Sequence, residues 1–241
     1  MIPFGETEIP AGTKKYWFVK ITEGIVVPVE IPIAVVRGSS TGPILAILAG
    51  VHGTEYVGVD AVLSTYSGTD PKNLRGTLIL VPVANVLAFQ TRSSVLTPGD
   101  EKNLNRVFPG NPDGTISDRL ADFLYREVAS RSNCVVDIHG GDSLEYLGPM
   151  TVFCRTGDDR TQRNTEELAK IFGFRFAYDE GDPATKGTVG QLMQELPKSR
   201  IPAIQLEVGG GARPDSQLTQ QVLTGVTNVM KYLKMVDGPL V

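Results

Sequence analysis

The sequence predicts a doubly wound α/β domain, with a mostly parallel, mixed sheet covered by helices on both faces. Three observations carry this expectation. Residues 44–49, 77–83, 133–138 and 201–206 are short, continuous apolar runs of the length and makeup of strands buried on both sides. Segments whose apolar residues recur at helical spacing lie between and after them. Strand and helix alternate along the chain, and right-handed crossovers then wrap the helices around a parallel sheet.

Taken in order, residues 16–36 read as two extended segments turning at Glu23 and Gly24, with Pro28 and Pro32 placing the second at a sheet edge. The first buried strand, 44–49, follows Gly42 and Pro43. A helix is expected over 54–66, with Val57, Ala61, Val62 and Leu63 at helical spacing. After the strand at 77–83 the pattern lapses. Residues 84–115 are polar, rich in glycine, proline and asparagine, and without a clear period. A loop of that length inside a compact domain points to function, the more so because it holds Arg92, Asn103, Asn105 and Arg106. Helical spacing returns over 117–130, where Leu120, Phe123, Leu124 and Val128 form one stripe, and the strand at 133–138 follows. A helix over 159–172 stops at Gly173, a C-cap residue. The strand at 201–206 and a helix over 216–233, carrying Leu218, Val222, Val226, Val229 and Leu233, complete the pattern.

Composition narrows the class. The chain has 241 residues, 41% hydrophobic and 21% charged, and residues 1–241 are read as one domain with a sizeable core. A net charge of -4 without a cluster of lysines and arginines argues against nucleic acid as a partner. No apolar run approaches the roughly 20 residues that cross a bilayer. Residues 1–19 include Glu6, Glu8, Lys14 and Lys15 and lack the apolar core of a signal peptide. No membrane partner and a cytoplasmic location are therefore expected. Cys134 and Cys154 sit in separate strand-like segments and read as buried free thiols rather than a disulfide framework. Self-association into a homo-oligomer is left open.

The chain has only 2 histidines. Each follows an apolar run and precedes glycine, in Gly50-Val51-His52-Gly53 and Val136-Asp137-Ile138-His139-Gly140. Both therefore fall at carboxyl ends of strands, where open α/β sheets place their sites. Glu55 follows His52 by three residues, in the first turn of the expected helix, and can reach the same ion. Two imidazoles and one carboxylate form a common zinc set that leaves a fourth position for water. Such a cation draws the pKa of its water from about 15.7 to about 7. The competing reading is a pair of hydrogen-bonded structural histidines. Asp137 is a candidate outer partner, although a strand neighbour of a ligand often points away.

Glu207 closes the run 201–206 at the same sheet edge. Burying a carboxylate there is costly and demands a reason. A general base and a salt bridge closing the sheet both supply one. Arg92 and Arg106 lie in the long loop. Arginine's rigid fork suits a carboxylate or an oxyanion, so Asn105 with Arg106 could clamp a substrate carboxylate; the alternative is that both arginines are solvated.

Taken together, these motifs resemble the succinylglutamate desuccinylase/aspartoacylase family, relatives of the zinc carboxypeptidases. The resemblance rests on Gly50-Val51-His52-Gly53-Thr54-Glu55, Pro82-Val83-Ala84-Asn85, Asn103-Leu104-Asn105-Arg106-Val107-Phe108-Pro109-Gly110, Val136-Asp137-Ile138-His139-Gly140-Gly141 and Leu206-Glu207-Val208-Gly209-Gly210. It implies a zinc carboxypeptidase-like fold and one zinc ion on His52, Glu55 and His139. It further implies Glu207 as the proton-shuttling base, Arg92 polarising the scissile carbonyl, and Asn105 with Arg106 holding the substrate's carboxylate. The implied reaction is hydrolysis of the amide of a small N-acyl amino acid. A carboxypeptidase acting on peptides is the alternative enzyme, and a non-catalytic zinc-binding domain the alternative class. Two departures stand out. Asn103 occupies the place of the usual aspartate, which predicts a looser or altered Arg106 clamp. Family members also continue into a β-rich C-terminal domain, which this sequence is expected to lack.

Overall fold

Successive side chains of residues 45–49 go to opposite cores. Leu45, Ile47 and Ala49 pack into one, Ala46 and Leu48 into the other. The same division runs through the computed structural model, which describes residues 8–24, 27–186 and 189–241. The chain begins with strands β1 (Thr13–Thr22), β2 (Val29–Arg37) and β3 (Ser40–Ala49), helix α1 (Tyr56–Gly68), strand β4 (Arg75–Val81) and helix α2 (Val86–Thr91). A minimal hairpin follows, β5 (Leu96–Thr97) with β6 (Lys102–Asn103), then helix α3 (Ile116–Phe123) and strands β7 (Cys134–His139) and β8 (Tyr146–Cys154). Helix α4 (Asp159–Ile171), strand β9 (Phe176–Gly181), the short helices α5 (Pro183–Lys186) and α6 (Leu192–Glu195), strand β10 (Ala203–Gly210) and helix α7 (Ser216–Tyr232) complete it.

Eight strands form one sheet in the order β1-β2-β4-β3-β7-β10-β8-β9. Its centre, β4-β3-β7-β10, is parallel throughout and corresponds to the four apolar runs. Beside it, β2 is antiparallel to β1 and β4, and β8 is antiparallel to β10 and parallel to β9. Helices α1, α4 and α7 cover one face, where Val57, Ala61, Leu168, Val222 and Val226 meet Ile47, Leu80, Val136 and Leu206. Leu120, Leu124, Val128, Leu192 and Leu196 cover the other, against Leu48, Ile79, Val81 and Val135. Each such buried leucine or isoleucine stabilises the fold by about 1.5–3 kcal/mol.

Several expectations shift by local chemistry. β1, not β2, is the edge strand. Pro32 lies opposite Phe18 of β1 and ahead of Ala34–Arg37, the part of β2 that pairs with β4. Leu63 of α1 is 50% exposed rather than on the buried stripe. The helix at 117–130 does bury Leu120, Leu124 and Val128, but it passes from α3 into a π-turn over Leu124–Val128. Gly173, with φ +94°, follows the end of α4 as a left-handed residue should. The segment 84–115 is ordered by side chains that replace a regular ladder. Asn85 caps α2 by accepting from Ala88 N at 3.2 Å and donates to Thr97 Oγ1 at 2.8 Å, while Asp100 accepts from Ser117 N at 2.8 Å. Cys134 and Cys154 are buried and form no disulfide. Among the described residues no helix is long and apolar enough to cross a membrane.

The sheet positions a site at one place. On the face under α3 and α6, β7 and β10 start with Val135 and Ala203 and then turn polar. Asp137 and His139 follow on β7, paired in register with Gln205 and Glu207 on β10. Strand period two aims all four side chains the same way at the carboxyl ends.

Candidate metal centre and active site

His52, Glu55 and His139 converge although 87 residues separate the first from the last in sequence. β3 ends at Ala49, and Gly50, at φ +64°, turns the chain over the sheet edge. A Cβ on Gly53 would stand 2.1 Å from the Ala88 carbonyl oxygen, so only glycine lets the His52 loop lie against α2. Gly53 N then donates to Ser93 O at 3.0 Å. Glu55 is the N-cap of α1, one position before the first turn in which it was expected, and its carboxylate caps nothing. It faces the imidazoles instead. His52 Nδ1 lies 2.7 Å from Glu55 Oε1, and His139 Nδ1 3.3 Å from Glu55 Oε2.

The outer nitrogens explain the orientation. His139 Nε2 donates to Asp137 Oδ2 at 3.0 Å, and His52 Nε2 donates to Asn103 Oδ1 at 3.1 Å. With both Nε2 atoms donating, each Nδ1 turns its lone pair inward toward the carboxylate. Asp137 and His139 are two apart on one strand and so share a face, which is why Asp137 supports the histidine. Asn103 also departs from expectation: its amide oxygen serves His52 and accepts from Asn105 N at 2.8 Å, rather than orienting Arg106. Since support of this kind typically carries about 10–100-fold in metal affinity, Asn103→Leu is expected to weaken binding of a divalent cation at this cluster by about that factor. Asn103→Asp is expected to strengthen it, because a carboxylate makes the imidazole more basic; competition with a chromogenic chelator reads both.

A metal ion fits this cluster. One donor atom from each of the three residues lies within 4.8 Å of the others. Glu55 Oε2 and Asp137 Oδ1 are buried without a hydrogen-bond partner. Lone pairs that face one another at these distances require positive charge between them. The protonation equilibria register the same demand. Burial pushes the Glu55 carboxyl up, but His139 and His52 outweigh it and hold it below its ordinary value. Burial also disfavours a charged His139, yet Asp137 and Glu55 raise it well above its ordinary value. Two nitrogens and a carboxylate oxygen are a borderline donor set that suits zinc.

Glu207 stands beside this cluster, in register with His139. Burial pushes its carboxyl up to about 7, with the Glu55 charge adding to the rise and the His139 and Gln205 contacts opposing it. Its Oε1 accepts from Gln205 Nε2 at 2.7 Å, and Gln205 Oε1 accepts in turn from Asn105 Nδ2 at 3.4 Å. No salt bridge to lysine or arginine closes on Glu207 among the described residues. Gln205 was not anticipated from sequence, although its place two residues before Glu207 carried the signal.

A cleft of about 480 Å³ opens over these groups. Asn105 and Arg106 line it, from a 3₁₀ turn at the end of the long segment. Asn105 is buried and accepts from Leu192 N at 3.0 Å, and its carbonyl accepts from Arg106 Nη1 at 2.6 Å. Asn105 thus ties the loop to α6 and steadies the guanidinium beside it. Arg92 is placed differently. It is the exposed, left-handed residue ending α2, at φ 53°, and is not among the side chains lining the cleft. Asp142, Glu145, Tyr178, Glu180 and Gln191 do line it, and sequence reasoning missed all five.

The family model for the succinylglutamate desuccinylase/aspartoacylase catalytic domain matches residues 41–233. The chain belongs to this family. An N-alpha-acetyl-L-2,4-diaminobutyric acid deacetylase from Halomonas elongata is 30% identical over 213 residues, 88% of this chain and 60% of the relative, so the chain spans about three fifths of that protein. The product-bound ectoine utilization protein EutE from Ruegeria pomeroyi superposes with a TM-score of 0.87 at 26% identity, covering 97% of this chain and 72% of the other. A succinylglutamate desuccinylase/aspartoacylase from Rhodobacter sphaeroides gives 0.85 at 25% identity, with 97% and 70% covered. In fold alone, a putative metallopeptidase from Shewanella denitrificans is similar, with a TM-score of 0.62 at 14% identity over 92% of this chain and 85% of that one.

Proposed function

We propose that the protein is a zinc-dependent hydrolase of small N-acyl amino acids, with one zinc ion held by His52, Glu55 and His139. The observation that carries this reading is the convergence of those three side chains beside a half-buried Glu207 whose pKa is pushed up to about 7. When bound, zinc supplies Lewis acidity to the acyl carbonyl and to water. The chain's own groups supply the rest. Glu207 takes a proton from the attacking water on Oε2, since Oε1 is held by Gln205, and returns it to the leaving nitrogen. Arg106, steadied by the Asn105 carbonyl, holds the substrate's carboxylate. The resemblance assigns Arg92 to polarising the carbonyl, a role that requires its exposed side chain to swing in from outside the cleft; its neighbour Ser93 is bonded to the His52 loop. The Halomonas relative's name supports an acetyl group as the acyl part.

The test is a panel of N-acetyl amino acids, N-succinyl amino acids and dipeptides offered to zinc-loaded protein. Hydrolysis of the acyl amino acids above the dipeptides supports the reading, and the reverse order favours a carboxypeptidase. A pH profile follows from Glu207. Its base form grows as pH rises through about 7, and a nearby cation draws that midpoint downward. Therefore kcat/KM is expected to rise with pH on an acid limb centred at or below about 7 and then level off; a flat profile from pH 5 to 8 (roughly the span in which such a base titrates) contradicts the role.

A further inference from the structure

Four side-chain amides line the cleft among the described residues, those of Asn103, Asn105, Gln191 and Gln205. The oxygens of three are engaged within the protein. Asn103 Oδ1 accepts from Asn105 N at 2.8 Å, Asn105 Oδ1 from Leu192 N at 3.0 Å, and Gln205 Oε1 from Asn105 Nδ2 at 3.4 Å. Gln191 Oε1 has no donor, although Gln191 is only 6% exposed. Leaving a buried acceptor unmatched is costly, and a ligand with an N–H or O–H removes that cost. The oxygen also has a local use that it forgoes. Gln191 is the N-cap of α6, where a side chain often accepts from the first N–H groups of the helix, but its side chain makes no such bond. Only its backbone carbonyl joins the helix, accepting from Gln194 N and Glu195 N at 3.1 Å each.

The residues on either side of Gln191 are fastened to the proposed carboxylate clamp. Gly190, at φ +79°, packs so closely that a Cβ there would stand 2.2 Å from the Arg106 carbonyl oxygen. Its own carbonyl accepts from Phe108 N at 3.1 Å, and Leu192 N is bonded to Asn105. Gln191 is thereby held beside Asn105 and Arg106. An N-acyl amino acid carries one donor whatever its side chain, the N–H of the scissile amide. That nitrogen and the carboxylate carbon are bonded to the same α-carbon and stand about 2.5 Å apart. With the carboxylate on Arg106 and the carbonyl turned toward Glu207, the N–H lies between them, next to the clamp. Glu145 and Glu180 also offer oxygens in the cleft, but a carboxylate set beside the substrate's own would repel it. Gln191 accepts without charge.

We infer that Gln191 Oε1 accepts from the N–H of the scissile amide, which makes the site selective for secondary amides over esters and N-alkylated amides of the same acids. A site built to bond a substrate N–H rejects the analogue that lacks it, because its own buried acceptor is then left unpaired. The contact also fixes the rotation of the amide. Once water has added and the nitrogen is pyramidal, holding its N–H on Gln191 leaves the lone pair free for the proton that Glu207 returns. The inference rests on the deacylase reading and deepens it by naming the group that recognises the bond to be cut.

The experiment compares kcat/KM of zinc-loaded protein for N-acetyl-L-alanine, its N-methylated amide and the ester (S)-2-acetoxypropanoate. All three carry the same carboxylate and acetyl group, and only the first has the N–H. Parent protein is expected to favour it over the N-methyl compound by at least about 10-fold, the scale of one buried hydrogen bond left unmade. Gln191→Met keeps the length of the side chain and removes the acceptor. It is expected to lower the amide-to-ester ratio by about 10- to 100-fold, because the amide loses its partner and the ester oxygen no longer faces a second lone pair. Gln191→Glu still accepts, so it is expected to hold the ratio near the parent's while raising KM, since its charge repels the substrate's carboxylate. A ratio unchanged in Gln191→Met, or an N-methyl amide cleaved as fast as the N–H amide, overturns the inference while leaving the deacylase reading standing. Should no compound be hydrolysed, calorimetric titration with the same three decides. Binding selective for the N–H compound that Gln191→Met abolishes keeps the contact and sinks the deacylase reading, whereas indifferent or absent binding sinks both.

Discussion

Glu207→Gln is expected to lower hydrolysis by about 100- to 10,000-fold, the usual contribution of a positioned general base, while zinc binding stays within a few-fold of the parent. The substitution keeps the volume and can still accept from Gln205 Nε2, so the strand register beside His139 is preserved. What it removes is the proton-accepting oxygen. Glutamine has no form that takes a proton from water, and the acid limb of the pH profile should disappear with the activity. Retained turnover with the same pH dependence would take Glu207 out of the mechanism. A variant that loses zinc as well would mean that Glu207 holds the metal rather than the proton.

Glu55→Gln has the second large expected effect, and on a different quantity. Glu55 bridges the two imidazoles, with His52 Nδ1 at 2.7 Å and His139 Nδ1 at 3.3 Å. Removing its charge leaves two neutral nitrogens to hold a divalent cation. Zinc affinity is expected to fall by more than about 100-fold, beyond the effect of losing an outer support such as Asn103. Thermal unfolding separates binding from folding. The parent's melting temperature should rise on adding zinc, because a ligand that binds only the folded state stabilises it. The Glu55→Gln melting temperature should not. A variant as strongly stabilised by zinc as the parent contradicts the ligand assignment.

How much of this was readable in the sequence depends on burial. The central strands were legible because sheet positions covered on both faces admit only apolar residues, which leaves runs such as Leu45–Leu48 without polar interruption. The histidines were legible because each terminates such a run. β8 was legible only in the strand-like segment around Cys154, and β9 not at all. Gly148 and Pro149 break the apolar pattern of β8 ahead of that segment, and β9, at the sheet edge, carries Phe176, Tyr178 and Glu180 with much of its surface exposed. Missing β9 meant missing Tyr178 and Glu180 in the cleft. Asn103 was read as a neighbour of Arg106 because they are close in sequence, but the hairpin β5-β6 carries it over to His52, and no local signal announces that contact. Arg92 shows the same limit from the other side: its loop was legible, whereas its exposed position at the end of α2 depends on how that helix is capped.

The central claim is that two imidazoles and a carboxylate from separate segments hold one cation. The direct measurement is elemental analysis of purified protein equilibrated with zinc and freed of excess, alongside His52→Ala and His139→Ala. The account predicts about one zinc per parent chain, the occupancy of a single three-ligand site, and little in either variant although both remain folded. Parent protein that retains no divalent metal, or variants that retain as much as the parent, would contradict it.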